Sequence, residues 1–259
     1  MNIEAAINKQ VEVFHRRTNF KYKDGITWEL TPDLYTCVLN YSVSDNETKR
    51  IESERDFLSG LNGTCIHGKT WSDPIRVIFS TNKFHMYFNE KDLTWIGTVH
   101  HEYSHAVDQR IILLDMKPTK PDEIYEWEYY RAFVLWSEFF ARKTGYEMVM
   151  RETVFKDKHA NNMTLFQTAR ANIQVILNGV ADSFTKQDTY NLMQFFGKFA
   201  MIEDLFPGKF DLEPFLKNSF NQEHVLFLQT LYKTCRNVSR ENFSEGLPIL
   251  QAFVQANNL

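Results

Sequence analysis

Residues 92–108 read DLTWIGTVHHEYSHAVD. The stretch has no proline and a single glycine, Gly97, and it opens on Asp92, a good N-cap residue. It therefore predicts a helix from Leu93 to about Leu114. On a helix, positions i and i+4 share one face a turn apart, so the imidazoles of His101 and His105 stand side by side. Two rings so placed can reach one metal ion. Glu102 is rotated from His101 by about a quarter turn. It can stand beside the ion without ligating it and take a proton from bound water. The mechanics of H-E-x-x-H assign those roles, two ligands and one general base.

A catalytic zinc keeps three protein ligands and one open position for water. The extended pattern H-E-x-x-H-x-x-G-x-x-H needs glycine at position 108 and histidine at 111. This chain has Asp108 and Ile111 there, which excludes the metzincin arrangement. The third ligand must come from elsewhere, and a carboxylate on the following helix is the natural source. Glu138 lies in the most apolar helical run, Ala132 to Ala141 (AFVLWSEFFA), with Val134, Leu135 and Ala141 on its face. A carboxylate buried there must be paired or must coordinate a metal. The competing reading is an exposed Glu138 paired with Arg142 at i,i+4. Glu128 is the alternative ligand, flanked by Glu126 and Arg131 and more solvated.

Working outward, the first seventeen residues, MNIEAAINKQVEVFHRR, read as an amphipathic helix. Ile26–Leu30 and Leu34–Val43 are rich in β-branched and aromatic residues and are expected as strands, with Thr31-Pro32-Asp33 as the turn between them. Glu47–Leu58 is expected to be helical. Gly60, Gly63 and Gly68 mark a long loop to about Pro74. Ile75–Ser80 and Phe84–Phe88 read as short strands joined by Thr81-Asn82-Lys83. Lys117–Pro121 is a connector, followed by a helical stretch from about Asp122 to Phe155. From about Lys158 onward the pattern is helical, with breaks expected near Gly179, Gly197, Pro207-Gly208, Pro214 and Gly246. The expected fold class is α+β, with residues 1–156 as one domain and 157–259 as a helical C-terminal subdomain that is possible as part of the same domain.

The bulk composition narrows the function classes. The 259 residues include 22 Phe, 11 Tyr and 5 Trp but only 10 Gly and 7 Pro, which suits a large packed core rather than a disordered chain. A net charge of −4 gives no electrostatic case for nucleic acid. No stretch reaches the length of a membrane span. The N-terminus lacks the basic start, apolar run and small-residue cleavage site of a secretory signal, so a cytoplasmic location is expected. Cys37, Cys65 and Cys235 lie far apart without a CxxC pair, which suits reduced thiols.

His101-Glu102-Tyr103-Ser104-His105 followed by Glu138-Phe139-Phe140-Ala141 resembles the zincin metallopeptidases of the gluzincin type. In these, two histidines and a downstream glutamate, often in an E-x-x-A setting, hold zinc. The likeness covers roughly residues 75–145. A looser likeness is to the small ImmA/IrrE-type peptidases, although no helix-turn-helix segment accompanies it. The resemblance implies a zincin-like core, a small sheet with one helix carrying HExxH and another carrying the glutamate. It implies one Zn2+ per chain, held by His101, His105 and Glu138, and hydrolysis of a peptide or protein substrate with Glu102 as general base. Tyr129, Tyr130 and His100 are the donors it offers for the oxyanion. Asp108 is placed to accept a hydrogen bond from a ligand imidazole, or else to lie exposed beside Arg110. Two other functions fit the same motif: a non-catalytic zinc-binding regulatory or interaction protein, and an effector or toxin-type peptidase aimed at one protein. A helical interaction protein without metal is the remaining rival.

Overall fold

The computed structural model describes residues 2–18, 23–70, 72–112, 121–153, 186–217 and 220–256, with the single positions 167 and 171. Among these the fold is mixed α/β and mostly helical, with eleven α-helices and one three-stranded sheet. The chain groups into two compact units, Met1–Trp127 and Glu128–Leu259. The domain boundary expected at residues 156/157 lies outside the described residues.

In the first unit, helix α1 (Ile3–Thr18) forms where the amphipathic N-terminal pattern places it, and it buries Ile7 and Phe14. Strands β1 (Ile26–Thr31), β2 (Gly63–Ile66) and β3 (Ile75–Ser80) make one sheet in the order β1-β3-β2. β1 runs parallel to β3, and β2 runs antiparallel to it with Gly63 opposite Phe79 and Cys65 opposite Val77. The central strand buries Ile75, Val77, Ile78 and Phe79, as a strand covered on both faces must. The parallel pair needs a crossover. It is supplied by α2 (Leu34–Asn40), α3 (Asp45–Ser53), α4 (Arg55–Gly60) and β2 itself. Leu34, Val38, Ile51 and Leu58 from these helices pack with Ile66 and Ile78 of the sheet.

Two stretches expected as strands are helices. Over Leu34–Val43 the local capping chemistry outweighs β propensity. Asp33 Oδ1 accepts the Thr36 N–H at 3.0 Å and Oδ2 accepts the Thr36 hydroxyl at 2.7 Å. The buried pair is then Leu34 and Val38, spaced by one helical turn. Phe84–Phe88 belongs to α5 (Thr81–Glu90), whose first turn is the expected Thr81-Asn82-Lys83 turn and whose N-cap is Ser80. Strand alternation would bury Phe84, Met86 and Phe88 together. Instead Phe84 and Tyr87 are buried, three apart, and Met86 is 40% exposed. Lys91, at φ 56°, ends the helix in the left-handed region. The glycine-marked loop also conceals a strand, since β2 is only four residues long and shows no readable alternation.

Helix α6 (Thr94–Ile111) carries the HEYSH sequence. Its N-cap position is Leu93 rather than Asp92, but Asp92 Oδ1 still accepts the Thr94 N–H at 2.8 Å and the Thr94 hydroxyl at 2.7 Å. α6 packs against α1 on one side and against β2 and β3 on the other. Most of the expected connector lies among residues 113–120, outside the described ones. Pro121–Glu126 then forms a 3-10 helix.

The second unit, over its described residues, consists of α7 (Tyr130–Thr153), α8 (Lys186–Leu205), α9 (Leu212–Lys217), α10 (Gln222–Asn237) and α11 (Phe243–Ala256). α7 begins later than the expected Asp122. It packs along α8 and α11, and its Trp136 indole donates to the Val238 carbonyl at 2.9 Å. Phe139, Phe196, Phe199 and Tyr232 form the aromatic centre of this unit. Pro207-Gly208 does interrupt the helices, with Gly208 at φ 70°. Of the others, Gly197 lies inside a helix, while Pro214 and Gly246 stand just inside helices that begin after the breaks at 206–211 and 238–242. Pro214 stands in the first turn of α9, where its missing N–H costs no helical bond. Gly246 stands in the first turn of α11, against the Val238 side chain. Gly179 lies outside the described residues.

Gly197 sits within α8 because the two helix backbones touch there. A β-carbon at Gly197 would collide with the Phe139 carbonyl and lie 2.9 Å from Arg142 Cβ. Neither neighbour is the free end of a flexible chain. Gly197→Ala is therefore expected to destabilise the protein by about 1–3 kcal/mol, the range for overpacking. Urea unfolding followed by far-UV circular dichroism checks this through a lowered midpoint. Among the described residues no helix is long and apolar enough to cross a membrane.

Candidate metal centre

The core-facing side of α6 is fixed by aromatic packing. Tyr103, 1% exposed, meets Phe14 of α1 at a ring-centroid distance of 5.6 Å and His15 at 5.8 Å. Burial pushes its phenol well above the usual tyrosine range. His100 also turns toward α1. It is buried, and its Nε2 bonds Gln10 Oε1 at 3.1 Å. That contact commits His100 to packing rather than to the oxyanion role considered for it.

With Tyr103 and His100 anchored, His101 and His105 share a different face. Their Nε2 atoms are 3.1 Å apart, with ring centroids at 4.6 Å and planes at 89°. Two imidazoles on a tetrahedral zinc, each with a Zn–N bond of about 2.0–2.1 Å, hold their nitrogens about 3.3 Å apart. The observed pair is therefore already close to bridging distance. His101 is buried and His105 half-buried. Glu102 is buried as well, with Oε1 4.0 Å from His101 Nε2. That is beside the pair but too long for a hydrogen bond.

Glu138, on α7, is 3% exposed, with Arg142 Nη2 3.5 Å from its Oε1. The two sequence readings of Glu138 are thus not exclusive, since it is buried and also faces Arg142. One ligand atom from each of His101, His105 and Glu138 lies within 4.8 Å of the other two, so the three could hold a metal ion. Two imidazoles and one carboxylate are a donor set that a divalent ion such as zinc accepts. Glu128 is exposed and lies in the turn before α7, outside that group. Tyr129 stands in the same turn and Tyr130 opens α7, both half-buried. The Tyr129 phenol is pushed up by burial and by the neighbouring Glu128 carboxylate. Asp108 is fully buried, which removes the exposed reading beside Arg110.

Two participants escaped the sequence reading, and both lie on β2. The Gly63 backbone packs on the Glu102 side chain. The Cys65 thiol is pushed well up by burial and then by the charges of Glu102 and Asp108. Nothing local in the sequence marks them, because their proximity to α6 follows from how β2 pairs with β3. Cys37, Cys65 and Cys235 are all free thiols. No family model, curated protein or solved structure matches this chain.

Proposed function

We propose that the chain is a zinc-dependent endopeptidase with a zincin-like core. The observation that carries the reading is the His101–His105 pair, with Nε2 atoms 3.1 Å apart and the Glu102 carboxylate alongside. His101, His105 and Glu138 would hold one zinc per chain, and the bound ion would supply a water of near-neutral pKa and a Lewis acid for the substrate carbonyl. Glu102 is the general base. It adjoins the ligand pair without belonging to it, so its carboxylate remains able to accept a proton and return it to the leaving amine. Its burial keeps bulk water from competing for that proton. Asp108, fully buried and one turn beyond His105, is proposed to orient an imidazole by accepting its far N–H. Tyr129 and Tyr130 are the phenols proposed to donate to the oxyanion. A peptide or protein is the proposed substrate and the cytoplasm the proposed location.

Metal analysis of the purified protein, paired with cleavage of an unfolded protein substrate, tests this. The expected result is one zinc per chain and cleavage that a chelator stops and added zinc restores. Stoichiometric zinc without cleavage across diverse substrates would instead indicate a zinc-binding regulatory protein. A protein that binds no zinc would remove the peptidase reading altogether.

A further inference from the structure

The geometry points to Gly63 as a positioning residue that sets where the Glu102 side chain stands, an inference that rests on the peptidase reading for the role of Glu102. A β-carbon at Gly63 would lie 2.9 Å from Phe79 Cδ1, 3.1 Å from the Ile78 carbonyl oxygen and 3.1 Å from Glu102 Cγ. The glycine is not there for its backbone freedom, because Gly208 is the one described glycine at positive φ. What the site requires is the absence of a side chain.

The three neighbours differ in how far they can yield. Phe79 is fully buried, with Phe84 at 5.1 Å and Trp28 at 6.3 Å between ring centroids. The Ile78 carbonyl belongs to the backbone of the paired strand. β2 itself is tied down at both ends of its pairing with β3. The Ser80 N–H donates to the Asn62 carbonyl at 2.9 Å, and Gly63 through Ile66 stand in register with Phe79 through Arg76. Glu102 is the neighbour whose contacting atom is a side-chain methylene, so it is the one of the three that can swing aside, while the Phe79 and Ile78 contacts stay the same whatever stands at position 102. The same strand face continues to Cys65, two residues on. β2 thus acts as a wall along the base, and Gly63 is the point at which wall and base touch.

A general base works within about 2.6–3.2 Å of the atom whose proton it takes, and a misplacement of about 1 Å can cost about a hundredfold. Gly63→Ala is expected to retain one zinc and a KM within about twofold, while kcat falls about tenfold or more. Merely loosened folding would not produce that split. The second measurement is independent of activity. Unfolding of wild type, Gly63→Ala, Glu102→Ala and the double variant forms a cycle. The penalty of Gly63→Ala on the unfolding constant is expected to be about fivefold or more smaller in the Glu102→Ala background. If Gly63→Ala alone is too unstable to measure, the double variant is expected to be the more stable of the two, because it loses the Glu102 contact while keeping the Phe79 and Ile78 ones. An unchanged kcat, or the same penalty in both backgrounds, overturns the inference. A wild type that cleaves nothing counts against the peptidase reading alone, since the unfolding cycle still decides whether Gly63 and Glu102 are coupled.

Discussion

Glu102→Gln is expected to keep its zinc and to lose about a thousandfold in kcat/KM for peptide cleavage, within the range that a positioned acid–base group contributes. A thousandfold is about 4 kcal/mol of transition-state stabilisation. The variant is informative because it changes so little else. Glutamine has the volume and methylenes of glutamate, so its contact with Gly63 on β2 persists. In the H-E-x-x-H arrangement the glutamate is the base and not a ligand, so on the proposed reading its loss removes no ligand. What disappears is the ability to accept a proton. The assay is peptide cleavage followed by chromatography, alongside metal content and a thermal melt. Unchanged metal and melting with lost turnover assigns Glu102 to the chemistry. Unchanged turnover leaves the zinc pair without its base, and the catalytic reading falls.

That experiment can be designed from residues 101–105 alone because helical spacing is a local property. Once Asp92–Leu114 reads as a helix, the neighbourhood of His101 and His105 follows from the 3.6-residue period. The structure places their nitrogens 3.1 Å apart. Glu138 was legible for another reason, since a carboxylate in the middle of AFVLWSEFFA raises the question of what satisfies it. The illegible parts depended on competition or on distance in sequence. Phe84–Phe88 carries period-2 and period-3 signals together. Ser80 capping and the left-handed Lys91 decide for helix, and neither shows as an apolar pattern. Leu34–Val43 is decided in the same way by one Asp33 side chain. Gly197 looked like a helix break because its meaning lies on α7, more than fifty residues earlier in the chain. Gly63 and Cys65 meet α6 only after β2 has paired with β3, a register that no window of sequence displays.

His105→Ala is expected to weaken zinc binding by more than a hundredfold. Changing a residue that merely supports a ligand costs about 10–100-fold, so removing the ligand itself should exceed that. His105 is the better of the two histidines to truncate, since it is half-buried whereas His101 is buried, and less packing is lost with it. Zinc that binds the folded chain stabilises it by about 2.7 kcal/mol at a hundredfold excess over Kd. For a chain of this size that corresponds to a rise in Tm of about 5–10 °C. Wild type should show that rise on zinc titration, Glu102→Gln should show it too, and His105→Ala should not. Glu138→Gln then isolates the third ligand. It preserves side-chain volume, and the Arg142 it leaves behind is 28% exposed and can turn to solvent, so the fold should survive. A Glu138→Gln variant that titrates like wild type would move the third ligand elsewhere. One that loses the zinc-dependent rise while keeping its metal-free Tm would place the carboxylate on the ion.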